Sequence, residues 1–160
     1  VGEEVDASDH PLAMSRPQSI ELWTNPTTNQ REIVVTSASH HRIGRITTQG
    51  ELFTWFGDPL DTSDTAFNFP YGLTILEDNT ALIAEFGGNR ITRIDLESGE
   101  HLFRYGETGR SVGQLAQPWA VGVAGDQLVI LDSGNSRLQF CDLPIDLPPE
   151  YAQPGAGGTP

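Results

Sequence analysis

The amino-acid sequence predicts an all-β protein, a partial β-propeller of three four-stranded blades with irregular N- and C-terminal extensions. Three observations support this prediction. Short apolar runs recur along the chain, a proline precedes each run, and an arginine follows each run at the same distance. The repeat length is about 48 residues, which together with several short strands per repeat is typical of propeller blades.

The apolar runs are the clearest strands, because they are short and rich in aliphatic and β-branched residues. Their sequences are IVVT at 33–36, ALIA at 81–84 and LVIL at 128–131. The arginines that follow them each begin another apolar stretch: Arg42, Arg90 and Arg137. A proline suits the first position of a strand, where its missing N–H costs little. The prolines that open the repeats are Pro17, Pro70 and Pro118.

Turn-forming residues divide each repeat into four strands. For the second repeat we place these strands at about 71–77, 80–86, 91–96 and 101–105. The second strand is apolar at consecutive positions, which predicts an inner strand that is buried on both faces. The third and fourth strands alternate more between polar and apolar residues, as expected of outer strands.

The chain divides into an irregular acidic N-terminal segment, a propeller arc and a Pro/Gly-rich C-terminal tail, at 1–15, 16–142 and 143–160. The blades of the arc span approximately 17–57, 69–106 and 117–142. The third blade lacks a convincing fourth strand, because the sequence after Asp142 is rich in proline, a poor strand former. Three blades do not close a ring, so we expect an uncovered apolar face at each end of the arc.

The third repeat contains the longest motif. A Gly-rich lead-in at 105–113 precedes Pro118, and the sequence DSGNSR occupies 132–137. These units resemble NHL repeats, whose pattern joins a Gly-rich lead-in, a Pro-x-Gly step, a hydrophobic strand and Asp-x-x-Asn-x-Arg. The resemblance covers three repeats, roughly residues 17–142, and implies the β-propeller fold. The second repeat keeps an acid, a glycine and an arginine at the Asp, Asn and Arg positions, whereas the first keeps only the arginine.

The Asp-Asn-Arg pattern has a structural explanation. A short acidic side chain and an asparagine can hydrogen-bond the backbone of a tight strand connection. An adjacent arginine can brace the same loop with a charge-assisted hydrogen bond. We therefore predict a structural motif, and no catalytic residue, at Asp132, Asn135, Arg137, Arg90 and Arg42.

The charge of the chain argues against some functions. The chain carries 22 acidic and 9 basic residues, a net charge of −13, and every basic residue is arginine. This balance disfavours a nucleic-acid-binding surface, which needs clustered cations. No apolar run is long enough to span a bilayer, so we expect no transmembrane segment in the chain. A single cysteine, Cys141, excludes an internal disulfide.

Metal ligands are sparse in the sequence. The histidines show no zinc-ligand spacing; they are His10, His40, His41 and His101. Two carboxylates that follow inner strands, with three more in turns, could supply the oxygens that Ca²⁺ prefers; they are Glu85, Asp132, Asp78, Asp95 and Asp126. Solvated acidic loops explain these carboxylates more simply, so we predict neither a metal site nor a cofactor.

We expect a non-catalytic scaffold or protein-interaction subunit, because the arc is incomplete and no chemical constellation is visible. Its blade faces and loops would bind a protein partner, or further copies of the chain, to complete the propeller. The chain could also be a fragment of a longer protein. The residues best placed to contact a partner are Trp119, His40 and His41. The acidic, Pro/Gly-flanked ends favour a location outside the cytoplasm, such as the periplasm. The alternative is part of a metal-dependent propeller enzyme, lactonase- or lyase-like, whose ligands lie partly on other blades.

Overall fold

The computed structural model describes residues 10–63 and 66–142 of the 160-residue chain. Blade 1 contains β1 (Pro17–Thr24), β2 (Arg31–Ser37), β3 (Arg42–Thr47) and β4 (Leu52–Phe56). Blade 2 contains β5 (Pro70–Ile75), β6 (Thr80–Glu85), β7 (Arg90–Asp95) and β8 (His101–Tyr105). A short parallel pair, β9 (Glu107–Thr108) and β10 (Gln114–Leu115), leads into blade 3. Blade 3 contains β11 (Pro118–Ala124), β12 (Gln127–Asp132) and β13 (Arg137–Asp142).

Each blade is an antiparallel meander in which every strand is hydrogen-bonded to the next one along the chain. Blades 1 and 2 have four strands, and the described part of blade 3 has three. The protein is therefore an all-β partial propeller, which confirms the predicted fold class. The expected lack of a fourth strand in blade 3 concerns residues after 142, which lie outside the described part of the chain. The tail and residues 1–9 also lie outside it.

The strands of blade 2 begin and end within two residues of the predicted positions. The first strand of each blade begins at a proline, as the sequence indicated. The residue before each proline has a left-handed backbone, with φ of 52° at Arg16, 51° at Phe69 and 48° at Gln117. This conformation is uncommon for residues other than glycine. Its recurrence shows that the three blades are entered by the same sharp turn of the chain.

Strand β6 lies in the middle of the arc and is buried along its whole length. Ala81 and Ile83 face blade 1 and belong to one core cluster. Leu82 and Ala84 face blade 3 and belong to a second core cluster. The prediction of an inner strand buried on both faces is confirmed, because successive side chains of a strand point to opposite sides of the sheet.

Strand β7 differs from the sequence prediction, which expected alternation between buried and exposed residues. Its residues 91–94 are all buried, as are residues 43–46 of β3, because each of these strands is covered by the following blade. Strand β13, which no described blade follows, does alternate. The polar side chains inside it are paired: Arg93 donates to the hydroxyl of Thr80 at 2.9 Å and forms an ion pair with Asp78, and Thr92 donates to Glu85. Burial of polar groups is tolerated where such partners exist.

The first strands of blades 2 and 3, β5 and β11, approach each other closely. A Cβ added to Gly72 of β5 would lie 2.6 Å from the Cα of Ala120 and 2.8 Å from the carbonyl oxygen of Trp119. Both atoms are backbone atoms of the next blade, so a side-chain rotation cannot relieve the overlap. Thr74 of β5 adds a hydrogen bond across the same contact, from its hydroxyl to the carbonyl oxygen of Val121 at 2.6 Å.

We expect the substitution Gly72→Ala to lower the free energy of unfolding by about 1–3 kcal/mol, because the added methyl group forces blades 2 and 3 apart. The matched control is Gly122→Ala in β11, where an added Cβ meets no atom within 4 Å. Urea denaturation followed by tryptophan fluorescence measures both variants. Equal stability of the two variants would show that the approach of β5 to β11 is not a tight contact.

Candidate functional site

A buried carboxylate at the end of β12 organises blade 3. Asp132 is fully buried. Its Oδ1 accepts the backbone N–H of Ala116 at 2.7 Å. Its Oδ2 accepts side-chain donors from Asn135 at 2.8 Å, Arg137 at 2.8 Å and Gln139 at 3.0 Å. The carboxylate therefore joins the segment directly before Pro118 to the connection between β12 and β13. We call the residues before the opening proline of each blade its lead-in: 13–16, 66–69 and 105–117.

These contacts control the charge of Asp132. Burial by itself raises the pKa of a carboxyl, because it disfavours the charged form. The hydrogen bonds from Ala116, Asn135, Arg137 and Gln139 outweigh burial and hold the pKa of Asp132 below its ordinary value of 3.8. The carboxylate is therefore ionised at neutral pH and pairs with the Arg137 guanidinium.

Arg137 extends the motif further than the sequence analysis expected. We predicted that this arginine braces the tight connection after the second strand. Its guanidinium does pair with Asp132 in this connection, and it also donates to three backbone carbonyl oxygens of the lead-in: Arg110 at 2.7 Å, Ser111 at 3.0 Å and Gln114 at 2.8 Å. The motif thus fastens the segment that enters the blade, more than twenty residues earlier in the chain.

The same arrangement occurs in blade 2. Glu85 is fully buried, and its oxygens accept the backbone N–H of Asn68 at 2.7 Å, the Arg90 guanidinium at 2.9 and 3.0 Å, and the hydroxyl of Thr92. Arg90 also donates to the carbonyl oxygen of Ala66 at 2.6 Å. Glu85 and Arg90 therefore hold the lead-in of blade 2 as Asp132 and Arg137 hold that of blade 3.

Blade 1 keeps this geometry without a carboxylate. The Ser37 hydroxyl accepts the backbone N–H of Ser15 at 3.0 Å, and Arg42 donates to the carbonyl oxygen of Ala13 at 2.6 Å. The Arg42 guanidinium also lies over the ring of Trp55, 3.9 Å from its centroid, in a cation–π contact. We call these paired residues the braces of the three blades: Ser37 and Arg42, Glu85 and Arg90, and Asp132 and Arg137.

The carboxylates considered as calcium ligands are mostly engaged by protein donors. Both oxygens of Glu85 and of Asp132 are occupied by the braces described above. Asp78 is paired with Arg93, and Asp95 accepts two backbone N–H groups of its own turn. Asp126 is exposed. Across residues 10–63 and 66–142, no group of three or more His, Cys, Asp or Glu side chains is placed to hold a metal ion.

His40 and His41, two of the three residues predicted to contact a partner, lie at the connection between β2 and β3. The Nδ1 atom of His40 is 3.3 Å from the Arg42 guanidinium, beside the brace of blade 1. The His41 ring meets the ring of Phe69 in blade 2 edge-on, with 4.6 Å between centroids. His41 therefore belongs to the junction between blades 1 and 2.

The other two histidines have local contacts. The His101 ring packs against Phe67, with 4.7 Å between centroids. Burial lowers the pKa of His101, and the positive charge of Arg104 lowers it further. His10 accepts the backbone N–H of Leu12 at 3.1 Å.

Trp119, the third predicted contact residue, is 47% exposed at the start of β11. Its ring meets Tyr71 edge-on at 5.0 Å between centroids, and Tyr71 in turn stacks on Phe86 at 4.4 Å. Arg16 donates to the Tyr71 hydroxyl at 2.9 Å. An aromatic cluster with one exposed ring therefore lies where the first strands of the three blades begin.

Both ends of the arc expose apolar side chains. On blade 1, Ile20 and Leu22 are 66% and 55% exposed, on the opposite side of β1 from the core residue Trp23. On blade 3, Leu131, Leu138 and Phe140 are 41%, 56% and 59% exposed, on the side of the sheet away from blade 2. Grouped exposed apolar residues of this kind mark interaction sites. The described blades thus expose apolar side chains at each end of the arc, as expected, although Val35 and Ile46 on the same side of blade 1 are buried.

A hydrogen bond that the sequence analysis missed recurs between blades. The N–H of Phe69 points to Nδ1 of His41 at 3.3 Å, and the N–H of Gln117 donates to Oδ1 of Asn89 at 2.7 Å. His41 and Asn89 both have a left-handed backbone, with φ of 54° and 51°. A signal was present in the sequence, because a polar residue directly precedes the arginine of every repeat. In the third repeat this residue is Ser136, which also has a left-handed backbone.

Comparison with known proteins places the chain among propeller structures. No protein-family model and no curated protein matches it. It resembles a virginiamycin B lyase from Staphylococcus aureus, with 25% identity over 82% of this chain and 42% of that chain and a TM-score of 0.50. A streptogramin B lyase structure shares 25% identity over 85% of this chain and 43% of that chain, with a TM-score of 0.53. The chain spans less than half the length of either lyase.

A structure of a nidogen/laminin complex also matches, with 17% identity over 82% of this chain and 45% of that chain and a TM-score of 0.53. At this identity the likeness shows the fold alone. The neighbours thus include both enzymes and a protein complex built on propeller-like β folds. In the described part of the chain, no helix is long and apolar enough to cross a membrane.

We expect Asp132→Asn to lower the free energy of unfolding at neutral pH by about 3 kcal/mol, because an amide nitrogen would replace the oxygen that faces three donors. The folded-state pKa of Asp132 is depressed. Its stabilising effect is therefore complete above the unfolded-state pKa of about 3.9 and is lost as the pH falls through the lower folded-state pKa. Urea denaturation over a pH series should show the two proteins converging in acid.

The control for this pH series is Asp126→Asn, which removes a carboxylate from an exposed turn. We expect it to leave stability within about 0.5 kcal/mol of the wild type at every pH. A constant stability difference between wild type and Asp132→Asn across the acid range would contradict the ionised state of Asp132.

Proposed function

We propose that this chain is an NHL-type propeller segment that acts as a non-catalytic protein-interaction scaffold, and that its two uncovered blade faces bind further β-blades. The observation that carries the proposal is the pair of exposed apolar faces at the ends of the arc. Blade 2, which has a neighbour on each side, buries both of its faces completely along β6. Blades 1 and 3 have the same design with one neighbour each.

The energetics of these faces favour coverage by another sheet. Burial of apolar surface contributes roughly 25 cal/mol for each Å² removed from water. Leu138 and Phe140 are adjacent outward positions of β13, and Leu131 lies opposite Leu138 in the register. A second sheet laid on this face would bury all three side chains together, as blade 3 buries the equivalent side of blade 2.

The distribution of charge supports a protein partner rather than a nucleic acid. The arginines of the braces donate to backbone carbonyl oxygens of their own blades. Two others, Arg45 and Arg93, are buried, and Arg45 forms a bidentate ion pair with Glu32 at 2.7 and 3.0 Å. Phosphate binding needs clustered cations that are free to contact the backbone of a nucleic acid. Here more than half of the 9 basic residues are used inside the fold.

We expect the purified chain to self-associate or to bind a blade-bearing partner, because its end faces are apolar. Sedimentation velocity over a range of concentrations tests this for the wild type and for a variant with Ile20, Leu22, Leu138 and Phe140 all changed to Glu. The variant should sediment as a monomer. A control with Leu60→Glu and Val112→Glu alters two residues that are 85% and 93% exposed and lie outside all thirteen strands. A monomeric wild type at every concentration would refute the proposal.

The second candidate is a segment of a metal-dependent propeller enzyme, lactonase- or lyase-like, with ligands on other blades. The observation that favours it is the 25% identity to the two lyase structures. A structure of a catalytically inactive virginiamycin B lyase from Staphylococcus aureus was determined with quinupristin. The test is incubation of the chain with quinupristin and Mg²⁺ or Zn²⁺, followed by chromatography to measure the quinupristin that remains. Under the scaffold proposal we expect no loss of quinupristin beyond a metal-only control. Loss that depends on the protein would favour the enzyme.

A further inference from the structure

The uncovered face of blade 1 has the same pattern as a face that is buried inside the arc. One side of the blade 2 sheet packs against blade 1. The residues of blade 1 that correspond to this side in the repeat lie on the side of blade 1 that faces away from blade 2. Apolar residues occupy the matching positions of blades 1 and 2: Ile20 and Leu73, Leu22 and Ile75, Ile33 and Ala81, Val35 and Ile83, and Ile46 and Ile94. In blade 1, Ile20 and Leu22 are exposed, whereas Val35 and Ile46 are buried within the chain. Blade 1 therefore has the face that, in blade 2, packs on the preceding blade.

The uncovered face of blade 3 matches the other side of blade 2, the side that faces blade 3. Val129 and Leu138 occupy the positions of Leu82 and Ile91 in blade 2, which are buried by blade 3. Phe140 occupies the position of the buried arginine of β7, so this face is more apolar than its equivalent in blade 2. Blade 3 therefore has the face that, in blade 2, is covered by the following blade.

In the lead-ins of blades 2 and 3, one buried side chain packs against the preceding blade. We call this side chain the knob. Phe67 and Leu115 each stand three residues before a blade-opening proline and are buried. They contact the glycine that follows the last strand of the preceding blade. An added Cβ would lie 2.8 Å from Phe67 at Gly57 and 2.6 Å from Leu115 at Gly106. Both glycines have positive φ, 93° and 103°, so the close approach and the backbone both require glycine.

Blade 1 carries the same knob with no blade to receive it. Met14 stands three residues before Pro17, is half-buried, and borders an open cleft of about 610 Å³ together with Ile20 and Val35. The brace of blade 1 holds this lead-in through Ser15 and Ala13. The docking segment is thus preformed in the chain.

Blade 3 carries the matching acceptor. Within the arc, the left-handed residues His41 and Asn89 meet the N–H of the residue before the next proline. Ser136 holds their position in blade 3, with φ of 54°, and is exposed. Arg16 holds the position of the donor before Pro17, with φ of 52°. Ser136 borders a cleft of about 280 Å³ with Arg110 and Arg137.

We infer that a second copy of this chain covers both faces, so that blade 3 of each copy packs on blade 1 of the other. This inference rests on the proposed function and names the partner. The two junctions are then identical head-to-tail contacts, related by a two-fold axis through the centre of the ring. The described blades of the two copies form a ring of six. At each junction Met14 of one copy inserts beside Ser136 of the other, and the Ser136 hydroxyl accepts the N–H of Arg16.

Two observations select a second copy over an unrelated apolar ligand. The two free faces differ in kind, and each is the complement of the other, as a head-to-tail contact requires. Ile20 and Leu138 are both more than half exposed, so the arc does not cover one end with the other. Propeller rings usually have four to eight blades, and the described blades of two copies number six, which lies within this range.

Complementation between variants tests the inference. The first variant, Leu138→Glu with Phe140→Glu, places charge on the face of blade 3. The second variant, Ile20→Glu with Leu22→Glu, places charge on the face of blade 1. All four residues are exposed, so neither change touches the core of a single copy. We expect each variant alone to lose dimer by about 100-fold in dissociation constant, because every dimer contains both faces twice.

An equimolar mixture of the two variants should recover a dimer, because one of its two junctions then joins two unmodified faces. Sedimentation equilibrium measures the mass, and far-UV circular dichroism confirms that each variant is folded. Met14→Asp is a further variant that leaves both sheets unchanged, and it should also weaken the dimer. Leu60→Glu is the control and should dimerise as the wild type does.

The other outcomes overturn the inference in distinguishable ways. A wild type that is monomeric at every concentration would refute both the proposed function and the second copy. A dimer that survives one of the two double variants would show a contact between like faces, and only the head-to-tail inference would fail. Mass that grows without limit would show an open filament instead of a ring. A mixture that stays monomeric, from variants that are folded, would also refute the head-to-tail contact.

Discussion

Coverage of one blade by the next is the constraint on which this structure depends. A four-stranded sheet whose side chains are apolar on both sides leaves apolar surface in contact with water unless it has a neighbour on each side. Blade 2 has two neighbours, and β6 is buried at every position. Blade 3 has one, and its β12 alternates between buried and exposed side chains although its sequence is as apolar as that of β6. The difference between these two strands lies in what covers them and not in their composition.

The braces make this coverage specific. A stack of apolar sheets could slide, because hydrophobic contacts are non-directional. In each blade the residues after the second strand hold the lead-in, which carries both the knob and the N–H donor for the preceding blade. In blades 2 and 3 a buried carboxylate does this with four donors around it. In blade 1, Ser37 and the Arg42 guanidinium, which lies over Trp55, do it without a carboxylate. The path of the lead-in therefore recurs in all three blades, and different side chains maintain it.

The sequence predicted the parts of the fold that depend on neighbouring residues. Apolar runs, prolines and turn residues place the strands of blade 2 within two residues, because these signals act within a few positions of the chain. The burial of β7 was predicted wrongly, since it depends on blade 3 lying in front of it. The inter-blade hydrogen bonds at His41 and Asn89 were missed because their partners lie 28 residues further along the chain. The polar residue before each arginine was visible, but its role becomes clear only with the next blade in place.

The negative charge of the chain narrows what can cover its end faces. At a net charge of −13, two copies repel each other at long range, so association must rest on short-range contacts that outweigh this repulsion. The end faces fit this requirement, because Ile20, Leu22, Leu138 and Phe140 carry no charge and Phe140 stands where blade 2 has an arginine. Salt screens the repulsion while leaving apolar burial intact. A contact of this kind strengthens as ionic strength rises, whereas binding to a basic partner through the acidic surface would weaken. The sign of the salt dependence therefore separates coverage of the blade faces from attraction to the acidic exterior.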